Sequence, residues 1–216
     1  GPESCLQPLQ EALGGARPRA LALTHIHLDH AGASGALVQR WPDLEVWVHE
    51  VGAPHLADPS KLLSSATRLY GDQMQRLWGS VLPVPEANLR VLGGGERIDG
   101  FEVAHTTGHA SHHVSYFHEQ SGTAFVGDTA GVRIPPSPFT VPPTPPPDID
   151  VPAWHASIET IAAWRPSRLA LTHFGAVDEV SEQLAAVSRR LDEWARLAAE
   201  LDEETFVARL REGIES

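Results

Sequence analysis

The sequence predicts an α/β protein, and three observations lead there. Short runs that alternate apolar and polar residues, such as 45–49 and 114–118, read as strands. Longer stretches with apolar residues three and four apart, such as 59–78 and 177–194, read as helices. A dense group of ligand-type side chains, Thr24-His25-Ile26-His27-Leu28-Asp29-His30, falls where a strand-like run ends and a helix-like run begins.

Taken in order, residues 4–13 place Leu6, Leu9 and Leu13 on one face of a short helix closed by Gly14-Gly15. The strand 19–23 delivers the histidine-rich stretch, and a helix over 32–40 stops before Pro42. Glu45 to His49 alternates as a strand; His49 and His55 read as structural or surface residues. Over 59–78, Leu62, Leu63, Ala66, Leu69, Tyr70, Met74, Leu77 and Trp78 keep helical spacing, with Gly71 as a breaking point. The plainer reading is a helix packed on the core; the sharper one is a cap over a site, with Tyr70 facing substrate. Strands follow at 88–92, 101–105, 114–118 and 123–126, separated by Gly93-Gly94-Gly95 and Glu119-Gln120-Ser121-Gly122. His105 shares a strand face with Phe101 and Val103 and reads as a core residue or a support to nearby ligands.

Eight prolines between Ile134 and Pro147 rule out helix and central strand there and predict polyproline II. This run reads either as a stiff wall of a site, with Phe139 and Val141 as apolar contacts, or as a surface linker or homodimer contact. Asp150 caps a helix carrying Pro152 in its first turn, which reaches Trp164 and stops at Pro166. The strand 168–171 delivers His173. Val177, Val180, Leu184, Val187, Leu191 and Trp194 then form a helical seam, and 202–212 a last short helix.

The bulk numbers exclude some functions. A formal charge of -12, with Lys61 the single lysine, argues against a nucleic-acid partner. No apolar run approaches the roughly 18 residues of a membrane span. Cys5 is the single cysteine, so disulfides and thiolate metal ligands are not expected, and a cytoplasmic setting is.

In an extended loop, side chains two apart point the same way, so His25 and His27 reach toward one ion, while Asp29 and His30 face a neighbouring position. Imidazole and carboxylate are donors that zinc and similar divalent ions accept. The stretch resembles the His-x-His-x-Asp-His signature of the metallo-β-lactamase superfamily. Gly108-His109, Gly127-Asp128 and Leu171-Thr172-His173-Phe174-Gly175 match the family's later motifs in order, so the resemblance runs from about Leu21 to Gly175. The chain departs from the family around the third ligand, reading Thr106-Thr107-Gly108-His109-Ala110-Ser111-His112-His113.

The resemblance implies a four-layered αβ/βα sandwich over residues 1–175, whose usual N-terminal strands are missing from this chain, with a C-terminal helical extension over 176–216 packed on it. It implies that His25, His27 and His109 hold one ion and Asp29, His30 and His173 another, with Asp128 bridging. His113 falls at a supporting or substrate-facing position of the motif, whereas His112 reads as structural. Two divalent ions, zinc first with iron or manganese as alternatives, outweigh two carboxylates in charge and favour hydroxide between them. Asp29 would orient that nucleophile or shuttle its proton. The expected activity is metal-dependent hydrolysis of a small ester, thioester or lactone. Glutathione fits poorly, because the segment after His173 has no lysine. The rival readings are a mononuclear iron enzyme like the superfamily's persulfide dioxygenases, and a non-catalytic binding protein on the same fold.

Overall fold

A computed structural model of the chain describes residues 1–137 and 139–215. It is α/β with mixed sheets, as the sequence predicts, and divides into two compact units. The first comprises Gly1–Glu96 and His112–Val114, the second Arg97–Ser111 and Ser115–Ser216.

The first unit runs α1 (Leu6–Ala12), β1 (Ala20–Ala22), α2 (Leu28–Ala31), α3 (Ser34–Arg40), β2 (Glu45–His49), α4 (Ala53–Ala57), α5 (Ser60–Tyr70), α6 (Met74–Trp78) and β3 (Leu89–Leu92). Among the described residues its three strands form a parallel sheet in the order β1-β2-β3. Val46, Trp47 and Val48 on the central strand are all buried, as expected of a parallel strand covered on both faces. Val46 and Val48 pack with Leu23, Ile26, Leu37, Val38, Leu44 and Val84. The helix expected over 59–78 is interrupted where the sequence placed the break: Gly71 takes a φ of 49° between α5 and α6. The helix expected over 32–40 is present as α3, starting two residues later, and a separate turn of helix, α2, precedes it and holds Asp29 and His30.

The second unit runs β4 (Arg97–Ile98), β5 (Phe101–His105), β6 (Val114–His118), β7 (Thr123–Gly127), β8 (Val132–Arg133), β9 (Thr140–Val141), α7 (Val151–Ala163), β10 (Arg168–Leu171), β11 (Gly175–Val177), α8 (Val180–Glu200) and α9 (Glu203–Glu215). Its main sheet has the order β11-β10-β7-β6-β5-β4, with β10 parallel to β7 and antiparallel to β11. Helix α7 starts as predicted, Asp150 accepting from the Ala153 amide. Trp154, Ile158 and Ile161 of α7 and Leu184, Val187 and Leu191 of α8 share one core with Ala124, Val126 and Leu169 of the sheet.

Two further expectations are corrected here. The proline-rich run is not continuous polyproline II, since Thr140 and Val141 pair with Arg133 and Val132 in a two-stranded ribbon. His105 is exposed rather than in the core, its Nε2 bonded to the Ser111 carbonyl at 2.9 Å. No helix among the described residues is long and apolar enough to cross a membrane.

Gly35 on α3 supplies a test of the first unit. A Cβ there would lie 2.1 Å from the Leu82 carbonyl oxygen, backbone against backbone. Alanine gains about 1 kcal/mol of helix propensity over glycine, but overpacking costs about 1–3 kcal/mol. Gly35→Ala is therefore expected to lower stability in urea unfolding; an unchanged or higher midpoint would contradict this packing.

Candidate metal centre

In the first unit, β1 ends just before Thr24, and the chain crosses to α2 through the stretch that carries the histidines. His25 is buried, and its ring centroid lies 4.7 Å from that of His27 and 3.9 Å from that of His30. His27 stands at the N-cap of α2, Asp29 in its first turn and His30 in its last. Asp29 Oδ2 is 3.0 Å from His30 Nε2. Ligand atoms of His25 and His27, of His25 and His30, and of Asp29 and His30 lie within 4.8 Å of one another.

Residues 112–114 add two more imidazoles. His113 is fully buried and stacks on His25 at 5.0 Å. His112, read from the sequence as structural, packs on the same group: it stacks on His25 at 6.1 Å and meets the His27 ring edge-on at 5.5 Å. The Ile26 amide donates to His112 Nδ1 at 3.4 Å, tying the ring to the loop between the first two histidines. The sequence held no sign of this, because two adjacent residues reach one side only where the backbone is irregular, as it is over 106–113.

In the second unit, parallel pairing explains why distant residues meet. Leu171 of β10 registers with Gly127 of β7, so the residues just past the carboxyl ends of both strands share one end of the sheet. Asp128 and His173 are those residues. Asp128 is 3% exposed, and its Oδ1 lies 3.5 Å from His173 Nε2. Its Oδ2 lies 3.5 Å from Nε2 of His109, which the loop after β5 brings in. Next to His173, Phe174 has a left-handed φ of 63° with its ring 62% exposed.

These spacings suit a metal. Two donors about 2.0–2.2 Å from a tetrahedral zinc stand about 3.4 Å apart, whereas a charge-assisted hydrogen bond draws them to about 2.7–2.9 Å. Asp128 has the former separation from both histidines, one through each oxygen. The donor set, imidazole and carboxylate without thiolate, fits zinc, iron or manganese.

The loop carrying His109 is braced by α7. The Gly108 carbonyl accepts from the Asp150 amide at 2.9 Å, and Ser157 Oγ donates to the Thr107 carbonyl at 2.7 Å. Trp154 Nε1 donates to the Thr129 carbonyl at 2.7 Å, and its ring stands edge-on to His109 at 5.5 Å. Of the remaining sequence candidates, Tyr70 packs on Trp78 at 5.1 Å, and burial, then the Asp29 charge, raises its phenol pKa. Phe139 lies beneath the guanidinium of Arg190 on α8, 4.3 Å from its ring centroid.

Comparison with known proteins agrees with this picture. The model of the metallo-beta-lactamase superfamily matches residues 3–173. A hydroxyacylglutathione hydrolase of Legionella pneumophila is 27% identical over 111 residues, 51% of this chain and 33% of that protein. This chain thus spans about a third of that relative's length. An archaeal metallo-beta-lactamase superfamily protein, ST1585 from Sulfolobus tokodaii, is 26% identical with a TM-score of 0.69, covering 80% of this chain and 67% of that one. The protein TTHA1623, solved in a di-iron-bound form, is 27% identical with a TM-score of 0.62, covering 88% and 84%.

Gly108 offers a test of the brace. Its φ is 114°, and a Cβ would come within 2.4 Å of the Trp154 backbone. Gly108→Ala is expected to cost about 1–3 kcal/mol and to lower metal uptake by displacing His109. Wild-type stability and metal content in that variant would show that α7 does not hold the loop.

Proposed function

The chain belongs to the metallo-beta-lactamase superfamily, and from that premise we propose that it is a metal-dependent hydrolase acting on a small ester, thioester or lactone. The observation that carries the reading is the buried Asp128 carboxylate, one oxygen 3.5 Å from His109 Nε2 and the other 3.5 Å from His173 Nε2. His25, His27 and His109 would hold one divalent ion, Asp29, His30 and His173 a second, with Asp128 shared. Bound there, such ions would supply hydroxide at neutral pH and polarise the substrate's carbonyl oxygen. The di-iron form of TTHA1623 supports a pair of ions, and the name of the Legionella relative supports an acyl substrate.

The protein's own groups do the rest. Asp29, half-buried and 3.0 Å from His30, would orient the attacking water and take its proton on a carboxylate oxygen. Tyr70, whose phenol pKa is raised by burial and then by the Asp29 charge, would face the substrate as a neutral hydrogen-bond donor. His112 and His113 pack the imidazole group into place. Ordered supports of this kind are what ligating histidines need to keep one orientation.

Two experiments test the proposal. Elemental analysis of the purified protein is expected to find about two divalent ions per chain, and Asp128→Ala to lose them together with at least about 100-fold of hydrolytic activity on a panel of esters, thioesters and lactones. Full turnover by a metal-loaded Asp128→Ala protein would end the two-ion reading. Tyr70→Phe is expected to raise KM about 2- to 12-fold with metal content unchanged; an unaltered KM would remove Tyr70 from the substrate's surroundings.

A further inference from the structure

The run of prolines after β8 has no part in the chemistry above, yet it touches His109. We propose that it is a positioning strap, in which the Pro143 carbonyl fixes the His109 imidazole in the tautomer that presents the Nε2 lone pair beside Asp128. This rests on the metal centre proposed above and names what prepares one of its ligands.

His109 Nδ1 lies 2.8 Å from the Pro143 carbonyl oxygen. A carbonyl only accepts, so Nδ1 carries the hydrogen, and a neutral imidazole then has its lone pair on Nε2. That nitrogen is the one 3.5 Å from Asp128 Oδ2. The opposite tautomer would set the Nδ1 lone pair against the carbonyl oxygen at 2.8 Å, a repulsion that His109's 1% exposure leaves unscreened.

Proline chemistry suits the task. A proline has an acceptor but no N–H, and polyproline backbone makes no bonds within itself. Eight prolines in 134–147 therefore leave carbonyl acceptors in excess of donors, on a backbone with little freedom to turn them away.

The strap is also anchored on both sides of the contact. At one end Thr140 and Val141 pair with β8, and Thr140 Oγ1 donates to Gln183 Oε1 at 3.3 Å. At the other, Ser111 Oγ donates to Asp148 Oδ2 at 2.8 Å, and the Asp150 amide donates to the Gly108 carbonyl at 2.9 Å. The last two ties flank His109 in its own loop. Pro143 is thus a positioning residue that acts through the imidazole.

The test has two readouts besides turnover. Long-range proton–nitrogen spectra of metal-free, nitrogen-15-labelled protein, recorded at a pH where the His109 ring is neutral and with His109 assigned by comparison with His109→Gln, are expected to show one tautomer, protonated at Nδ1. Zinc affinity, read by competition with a chromophoric chelator, is expected to fall about 10- to 100-fold in the Pro142→Gly/Pro143→Gly protein, which keeps the carbonyl but frees the backbone. A mixed or Nε2-protonated His109 in the wild type overturns the proposal, as does wild-type zinc affinity in the folded double variant. Should that variant not fold, Ser111→Ala, which cuts one anchor, replaces it, and the tautomer still decides. If the wild type takes up no zinc, the metal centre fails, while the His109 spectrum continues to judge the strap.

Discussion

Burying a carboxylate is costly unless positive charge or hydrogen-bond donors compensate it. Asp128 is the point where this chain meets that constraint, and much of the second unit follows from it. The carboxylate is held at the end of β7, where Gly127 takes a φ of 51° and lets the backbone turn directly out of the strand. Its two oxygens face two different imidazoles. One of these comes from the parallel neighbour strand, the other from a loop that α7 and the prolines brace from outside. A carboxylate in this setting calls for positive charge beside it, which a protonated imidazole or a divalent ion would supply.

The two units solve the problem of convergence in different ways. The first compresses its donors into one turn, so that His25, His27, Asp29 and His30 are neighbours in sequence and in space. Local backbone geometry alone suffices there. The second gathers His109, Asp128 and His173 from positions up to 64 residues apart, which sheet pairing makes possible. A fault in strand register would leave the first set intact and scatter the second.

That difference explains what the sequence revealed. Alternation located β2, β5, β6 and β10 within a residue, because each is four or five residues long with at least one face buried. Asp150 and Pro152 marked the start of α7, since capping is local chemistry. The strands β4 and β11, two and three residues long, carry no period and exist only because a neighbour pairs with them. Thr140 and Val141 were hidden among prolines for the same reason, and Val177 belongs to β11 rather than to the helical seam. His105 matched the pattern of a core strand face but is the last residue of β5, where it is exposed. His112 was missed because irregular loops obey no period.

Phe174 carries a further meaning. A bulky residue with a φ of 63° pays for its pose, and a left-handed L-residue stores about 1–2 kcal/mol. Glycine at that position would relax the backbone and, by itself, make the chain sturdier. The folded protein instead holds a local tension right beside His173 and leaves a large aromatic residue mostly exposed there, so this corner gives up robustness that a glycine would restore.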